Sequence, residues 1–140
     1  MCLSLLGTWN GAQNEQWNEK TSTILQVLVS IQSLILVERP YFNEPGYESS
    51  MGTSHGEQAS KEYSANIQLQ CLKWAIVEQL KNPSPGFEDV VRTHFKLKKD
   101  LVVSEVKDWI KNQQSYNQKT MEDLLQTFIA EVDKIDLSSL

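Results

Sequence analysis

Apolar residues recur every three or four positions along most of this chain, and the gaps between those runs mark its elements. Over residues 22–37, Ile24, Leu25, Val27, Leu28, Ile31, Leu34 and Ile35 keep helical spacing, with Ser22, Gln26, Ser30 and Ser33 on a narrow opposite stripe. So wide an apolar arc predicts a helix covered on most sides. Its many β-branched residues also admit a strand, but the run far exceeds the ~5–6 residues of a common strand. A second helix is predicted over 60–81, with Leu69, Leu72, Ile76 and Leu80 on one face and Trp74 and Val77 beside them. Asn82-Pro83-Ser84-Pro85 ends it, because proline cannot continue the hydrogen-bond ladder. Ser84 suits an N-cap and Pro85 a first helical position, which predicts a third helix with Phe87, Val90, Val91 and Phe95 as its apolar face. Glu88 and Asp89 near its start and Lys96, Lys98 and Lys99 near its end suit the helix dipole. From Asp100 a fourth helix or a continuation follows, carried by Val102, Val106, Trp109 and Ile110. A break over 116–119 precedes a last stripe of Met121, Leu124, Leu125, Phe128, Ile129, Val132 and Ile135, with Thr120 and Asp123 in a capping arrangement.

The segments between these runs differ in kind. Residues 2–6 are apolar and read as extended chain or the end of a strand. Residues 7–18 are a polar loop with Gly7 and Gly11, in which Trp9 and Trp17 are expected to pack onto the core. Residues 49–60 are small and polar and read as a mobile loop. The stretch Tyr41-Phe42-Asn43-Glu44-Pro45-Gly46-Tyr47 carries three aromatics in a short space and reads as an ordered, packed loop. The inventory is mainly helical, and the wide apolar arc over 22–37 calls for a partner surface that a sheet would supply.

Composition narrows the functional classes. The 140 residues suit one domain, and a 40% hydrophobic fraction supports a core. A net charge of -5 argues against nucleic acid as a partner and gives no steering toward anionic membranes. The one basic cluster, residues 94–99, reads as the solvated end of a helix. Residues 21–37 carry no charge but are too short and too rich in Ser and Gln for a membrane span. No secretory signal fits the start, and two cysteines suit a reducing compartment, so a cytoplasmic, intracellular location is expected.

Considered alone, Cys2 and Cys71 are ordinary small buried hydrophobes. His55 and His94 show no orienting partner that would make a Cys–His nucleophile pair. Two cysteines and two histidines at these spacings make no zinc pattern, and no glycine loop is present to cradle phosphate. The carboxylates are scattered, and only Glu44 stands out by its surroundings.

A larger pattern surrounds Cys2. Cys2-Leu3-Ser4-Leu5-Leu6 is followed by a loop to Trp17, by Val27-Leu28-Val29-Ser30-Ile31-Gln32-Ser33-Leu34, and by Pro40-Tyr41-Phe42-Asn43-Glu44-Pro45. This order resembles the active-site segment of ubiquitin-conjugating enzymes: a cysteine, an apolar stretch, a tryptophan, a helix of the form Val-Leu-x-Ser-Ile-x-Ser-Leu, and a proline-rich acidic loop. The long loop before Trp17, the word Pro-Tyr-Phe-Asn-Glu-Pro-Gly-Tyr and Asn82-Pro83-Ser84-Pro85 resemble the giant hybrid conjugating enzyme/ligase subgroup of the BRUCE/Apollon type. The likeness runs from Cys2 to about Trp109, and its specific block is residues 2–45.

The resemblance implies an α+β UBC-like family fold, of which this chain is the mainly α C-terminal part. The family's first helix, most of its antiparallel sheet and its His-Pro-Asn motif precede the cysteine and are expected to be lacking here. Residues 1–112 are then a partial UBC-like domain and 113–140 a C-terminal helical extension. The implied function is a transferase in which Cys2 carries ubiquitin as a thioester and Glu44 orients and deprotonates the attacking lysine. The implied partners are ubiquitin, its activating enzyme, and a ligase and substrate protein; no cofactor is bound directly, since ATP is used by the activating enzyme. The usual proline after the tryptophan is absent at Asn18, which puts ligase contacts there in doubt. The motif's asparagine is an oxyanion donor, and losing such a donor costs ~10²–10³ in rate. The competing reading is a non-catalytic UBC-like helical fragment that acts as a protein-interaction module or pseudo-enzyme.

Overall fold

The structure, a computed structural model, describes residues 3–112 and 117–136. Among these residues the regular elements are helical and no strand occurs. The chain divides into two compact units, residues 1–61 and 62–140.

The first unit departs early from the expected extended segment. Leu3 is extended and buried, but Ser4–Leu6 is a 3-10 turn, closed by Gly7 at φ 67°, whose N–H donates to the Ser4 carbonyl. A second 3-10 turn, Gln13–Glu15, lies in the polar loop. Trp9 and Trp17 do not pack down as predicted; both are exposed. Their loop is mostly Asn, Gln and Gly and offers the rings no apolar cover.

Helix α1 (Ile24–Leu34) begins where predicted to within two residues. Thr23 and Gln26 set that start as a capping box: each side chain accepts the other's backbone N–H. The expectation that this helix is covered on most sides is overturned. No α1 residue is buried, and Ile24 and Leu25 are each 68% exposed. Periodicity reports the need for a cover; the sheet expected to supply it is not among the described residues.

Two further 3-10 turns, Pro40–Asn43 and Glu48–Ser50, order the aromatic loop as predicted and bury Phe42. Helix α2 (Ser54–Gln70) then starts well before residue 60, so the expected mobile loop over 49–60 is half helix. Its start is a polar signal that apolar periodicity cannot flag: the Thr53 hydroxyl accepts the Gly56 N–H. Gly56 and Ser60 are buried there.

The later part of α2 belongs to the second unit and runs into a π-helical stretch, Cys71–Glu78, then a closing α-helical turn, α3 (Gln79–Lys81). In a π-helix the hydrogen bonds run from residue i to i+5. Leu72 and Val77 therefore share the buried face, continued by Leu80, while Trp74 points outward and is 54% exposed. The N-cap role expected of Ser84 fails. Its carbonyl accepts the Phe87 N–H at 3.0 Å across Pro85 and Gly86, with Gly86 at φ 84°, which is a type II turn.

Helix α4 (Glu88–Asn112) follows as one continuous element, so Asp100 begins no new helix. Val91 and Phe95 face the core as expected, but Phe87 and Val90 are exposed. The basic cluster lies mid-helix rather than at a helix end. Two of its lysines serve a neighbour instead: the Lys96 ammonium donates to the Val132 carbonyl and Lys99 pairs with Asp133, at the C-terminal end of α5 (Gln118–Asp133). Tyr116, in the expected break, lies outside the described residues. Thr120 falls inside α5 and does not cap it.

The last stripe packs as predicted. Met121, Leu125, Phe128 and Val132 are buried against Leu72, Val77, Leu80, Phe95 and Val106. Phe95 meets Phe128 edge-on with ring centroids 5.8 Å apart. No described helix is long and apolar enough to cross a membrane.

Candidate functional site

Of the two candidate site residues, Cys2 lies outside the described residues. The chain directly after it is tightly tied. The Leu3 N–H donates to the Thr8 hydroxyl at 3.0 Å, and the Leu3 carbonyl accepts the backbone N–H groups of Leu6 and Thr8 and the Thr8 hydroxyl. With Leu3 buried, this knot fixes the start of the segment that follows Cys2 through bonds to both backbone groups of Leu3.

Beyond the knot the polar loop is held by local bonds. The Ala12 N–H donates to the Glu15 carboxylate, and Asn18 gathers the N–H groups of Lys20, Thr21 and Ser22. Between this loop and the polar stripe of α1 lies an open groove of about 460 Å³, lined by Leu5, Gln13, Asn14, Asn18, Ser22 and Gln26 among others. Its named lining carries amides and hydroxyls and no charge.

Glu44 sits at the end of the Pro40–Asn43 turn with its side chain exposed. Its backbone is held from both sides: its N–H donates to the Tyr41 carbonyl, and its carbonyl accepts the Tyr47 N–H at 3.0 Å. The Tyr41 and Tyr47 rings meet at a tilt of 33° with centroids 4.8 Å apart, and Tyr41 meets buried Phe42 edge-on at 5.2 Å. The Asn43 amide donates to the Leu34 carbonyl and so ties the loop to the C-terminal end of α1. The result is an exposed carboxylate on an ordered mount.

Sequence reasoning missed three residues of that mount: Arg39, Asn43 and Glu57. Arg39 lies 4.5 Å from the centre of the Phe42 ring and pairs with Glu57 in the first turn of α2. The Gly52 N–H donates to the same Glu57 oxygen. This backbone hydrogen bond and the Arg39 guanidinium hold the Glu57 carboxyl below the usual glutamate range, with a smaller contribution from Lys61. Nothing local in the sequence joins Arg39 to Glu57; a cation next to an aromatic triplet was the only available signal.

Elsewhere, Cys71 is a free, half-buried thiol at the start of the π-helical stretch. His94 lies edge-on to Phe95 and His55 is exposed in the first turn of α2. Among the described residues no cluster of His, Cys, Asp and Glu is placed to hold a metal ion.

No family model matches the chain. It is 53% identical over 117 residues to the human dual E2 ubiquitin-conjugating enzyme/E3 ubiquitin-protein ligase BIRC6, which covers 84% of this chain and 2% of that protein. It is 42% identical over 135 residues to the probable ubiquitin-conjugating enzyme E2 R521 of Acanthamoeba polyphaga mimivirus, covering 96% of this chain and 9% of that protein. It is 57% identical over 95 residues to the probable ubiquitin-conjugating enzyme E2 25 of Arabidopsis thaliana, covering 68% of this chain and 15% of that protein. The chain thus spans a small part of each of these relatives.

Proposed function

From the premise that this chain is, over most of its length, a homologue of ubiquitin-conjugating enzymes, we propose that it is a cysteine thioester carrier that passes ubiquitin to a lysine. The observation that carries this reading is the 53% identity over 117 residues, joined to an ordered loop that presents Glu44. The Cys2 thiolate attacks the thioester between ubiquitin and the activating enzyme, forms a new thioester and releases the activating enzyme's thiolate. A lysine amine then attacks that carbonyl. Glu44 takes the amine's proton, and the Cys2 thiolate leaves as the amide forms. ATP is spent by the activating enzyme and no cofactor is held here. Cys2 must stay reduced, which suits a cytoplasmic location. Ubiquitin and the activating enzyme are the partners the chemistry requires; a ligase and a substrate protein complete the reaction.

One observation favours a second reading. Ile24, Leu25, Leu28, Val29 and Leu34 of α1 are exposed, as in a chain that works by offering a helix face to another protein without carrying ubiquitin. The test is single-turnover discharge of the loaded chain onto free lysine. The carrier reading expects discharge that slows by about 10²-fold or more in Glu44→Gln, the scale of a general base. A folded chain that loads no ubiquitin favours the second reading.

A further inference from the structure

Glu44 is exposed, and what holds it among the described residues is its backbone, through the mount beneath it. The mount is continuous: Glu57 pairs with Arg39, Arg39 lies over the Phe42 ring, Phe42 meets Tyr41, and Tyr41 leans against Tyr47. The two tyrosines are also the residues whose backbone groups hold Glu44. Glu57 adds a second closure, because the oxygen that faces Arg39 also accepts the Gly52 N–H at 3.0 Å. One carboxylate thereby gathers the entry of the loop, at Arg39, and its exit, at Gly52.

We infer that Arg39 and Glu57 are positioning residues: they form a clasp that closes the loop over 39–52 and holds Glu44 in the place from which it acts. The inference rests on the carrier reading for what Glu44 does, and on geometry alone for the clasp. Arginine suits the task because its planar cation covers a ring and donates to a carboxylate at once, which lysine does poorly. Arg39 and Glu57 are part exposed, so the clasp biases the loop and does not lock it. Its removal loosens Glu44 without unfolding α1 or α2.

The experiment compares Arg39→Gln, Glu57→Gln and the double variant of the full chain by amide hydrogen exchange and by lysine discharge. Exchange at the Glu44 and Tyr47 amides is expected to quicken about two- to five-fold in each single variant, the scale of an exposed ion pair, and no further in the double. Amides within α1 stay at wild-type rates, and Arg39→Lys recovers part of the loss. In the loaded chain, kcat for free lysine falls by a similar factor with KM unchanged, and adding either variant to Glu44→Gln has no further effect. Unchanged exchange at Glu44 and Tyr47, additive single variants, or quickened exchange with wild-type kcat each overturn the inference. A chain that takes no ubiquitin overturns the carrier reading instead, and the exchange rates then decide the clasp.

Discussion

Gly56 stands in the first turn of α2 with its backbone against Ser50, and a Cβ added there would lie 2.2 Å from the Ser50 carbonyl oxygen. A backbone atom cannot rotate away as a side-chain tip can. Gly56→Ala should therefore cost about 1–3 kcal/mol, the scale of overpacking, read as a lower midpoint in urea. The same turn carries a second dependence. The Glu57 carboxyl is held below its usual range by the Gly52 N–H and then by Arg39. A carboxyl whose folded pKa is depressed binds its proton more weakly when folded. Its contribution is therefore whole above the ordinary glutamate value and is lost as pH falls through the depressed one. The Glu44 and Tyr47 amides should lose protection in that acidic window and keep it at neutral pH, and Glu57→Gln should remove the dependence. Little of this was legible beforehand. Glu44 stood out because aromatics crowd it, while Glu57 reaches Arg39 across a turn and a helix start that no local pattern predicts.

At the scale of elements, α5 is where sequence and packing agree most closely. Its apolar stripe, read from spacing alone, is the stripe that buries Met121, Leu125, Phe128 and Val132. Phe128 is wholly buried and meets Phe95 edge-on, so Phe128→Ala should cost about 3–5 kcal/mol and lower the melting temperature of the second unit. Helix positions were legible where a 3.6-residue repeat runs unbroken, as in α1 and α5. They were not legible where a polar cap decides, as at Thr53, or where one word fits two structures. Ser84-Pro85 suits a helix start and a turn equally, and the positive φ of Gly86 resolves it as a turn. The π-helical stretch was hidden for a related reason: Leu72, Ile76 and Leu80 satisfy a four-residue repeat, yet the face actually buried joins Leu72 to Val77. The lysines over 96–99 suit the end of their own helix by position, yet Lys96 and Lys99 reach the C-terminal end of α5, at the Val132 carbonyl and the Asp133 carboxylate.

At the scale of the whole molecule, the regular elements among the described residues are helical, and the apolar helix α1 has no buried residue. The chain's relatives are far longer, and the chain matches 2% of BIRC6 and 9% of the mimivirus protein. The carrier reading gathers on Cys2, a residue marked by the helix and acidic loop that follow it and by nothing in its own composition. The most direct measurement is the intact mass of the chain after incubation with activating enzyme, ATP and ubiquitin. The account predicts a gain of one ubiquitin less one water, removed by added thiol and absent in Cys2→Ala. In Cys2→Ser it predicts an oxyester that survives thiol and yields to hydroxide. A folded chain of unchanged mass, or an adduct that persists in Cys2→Ala and is lost in Cys71→Ser, would contradict it.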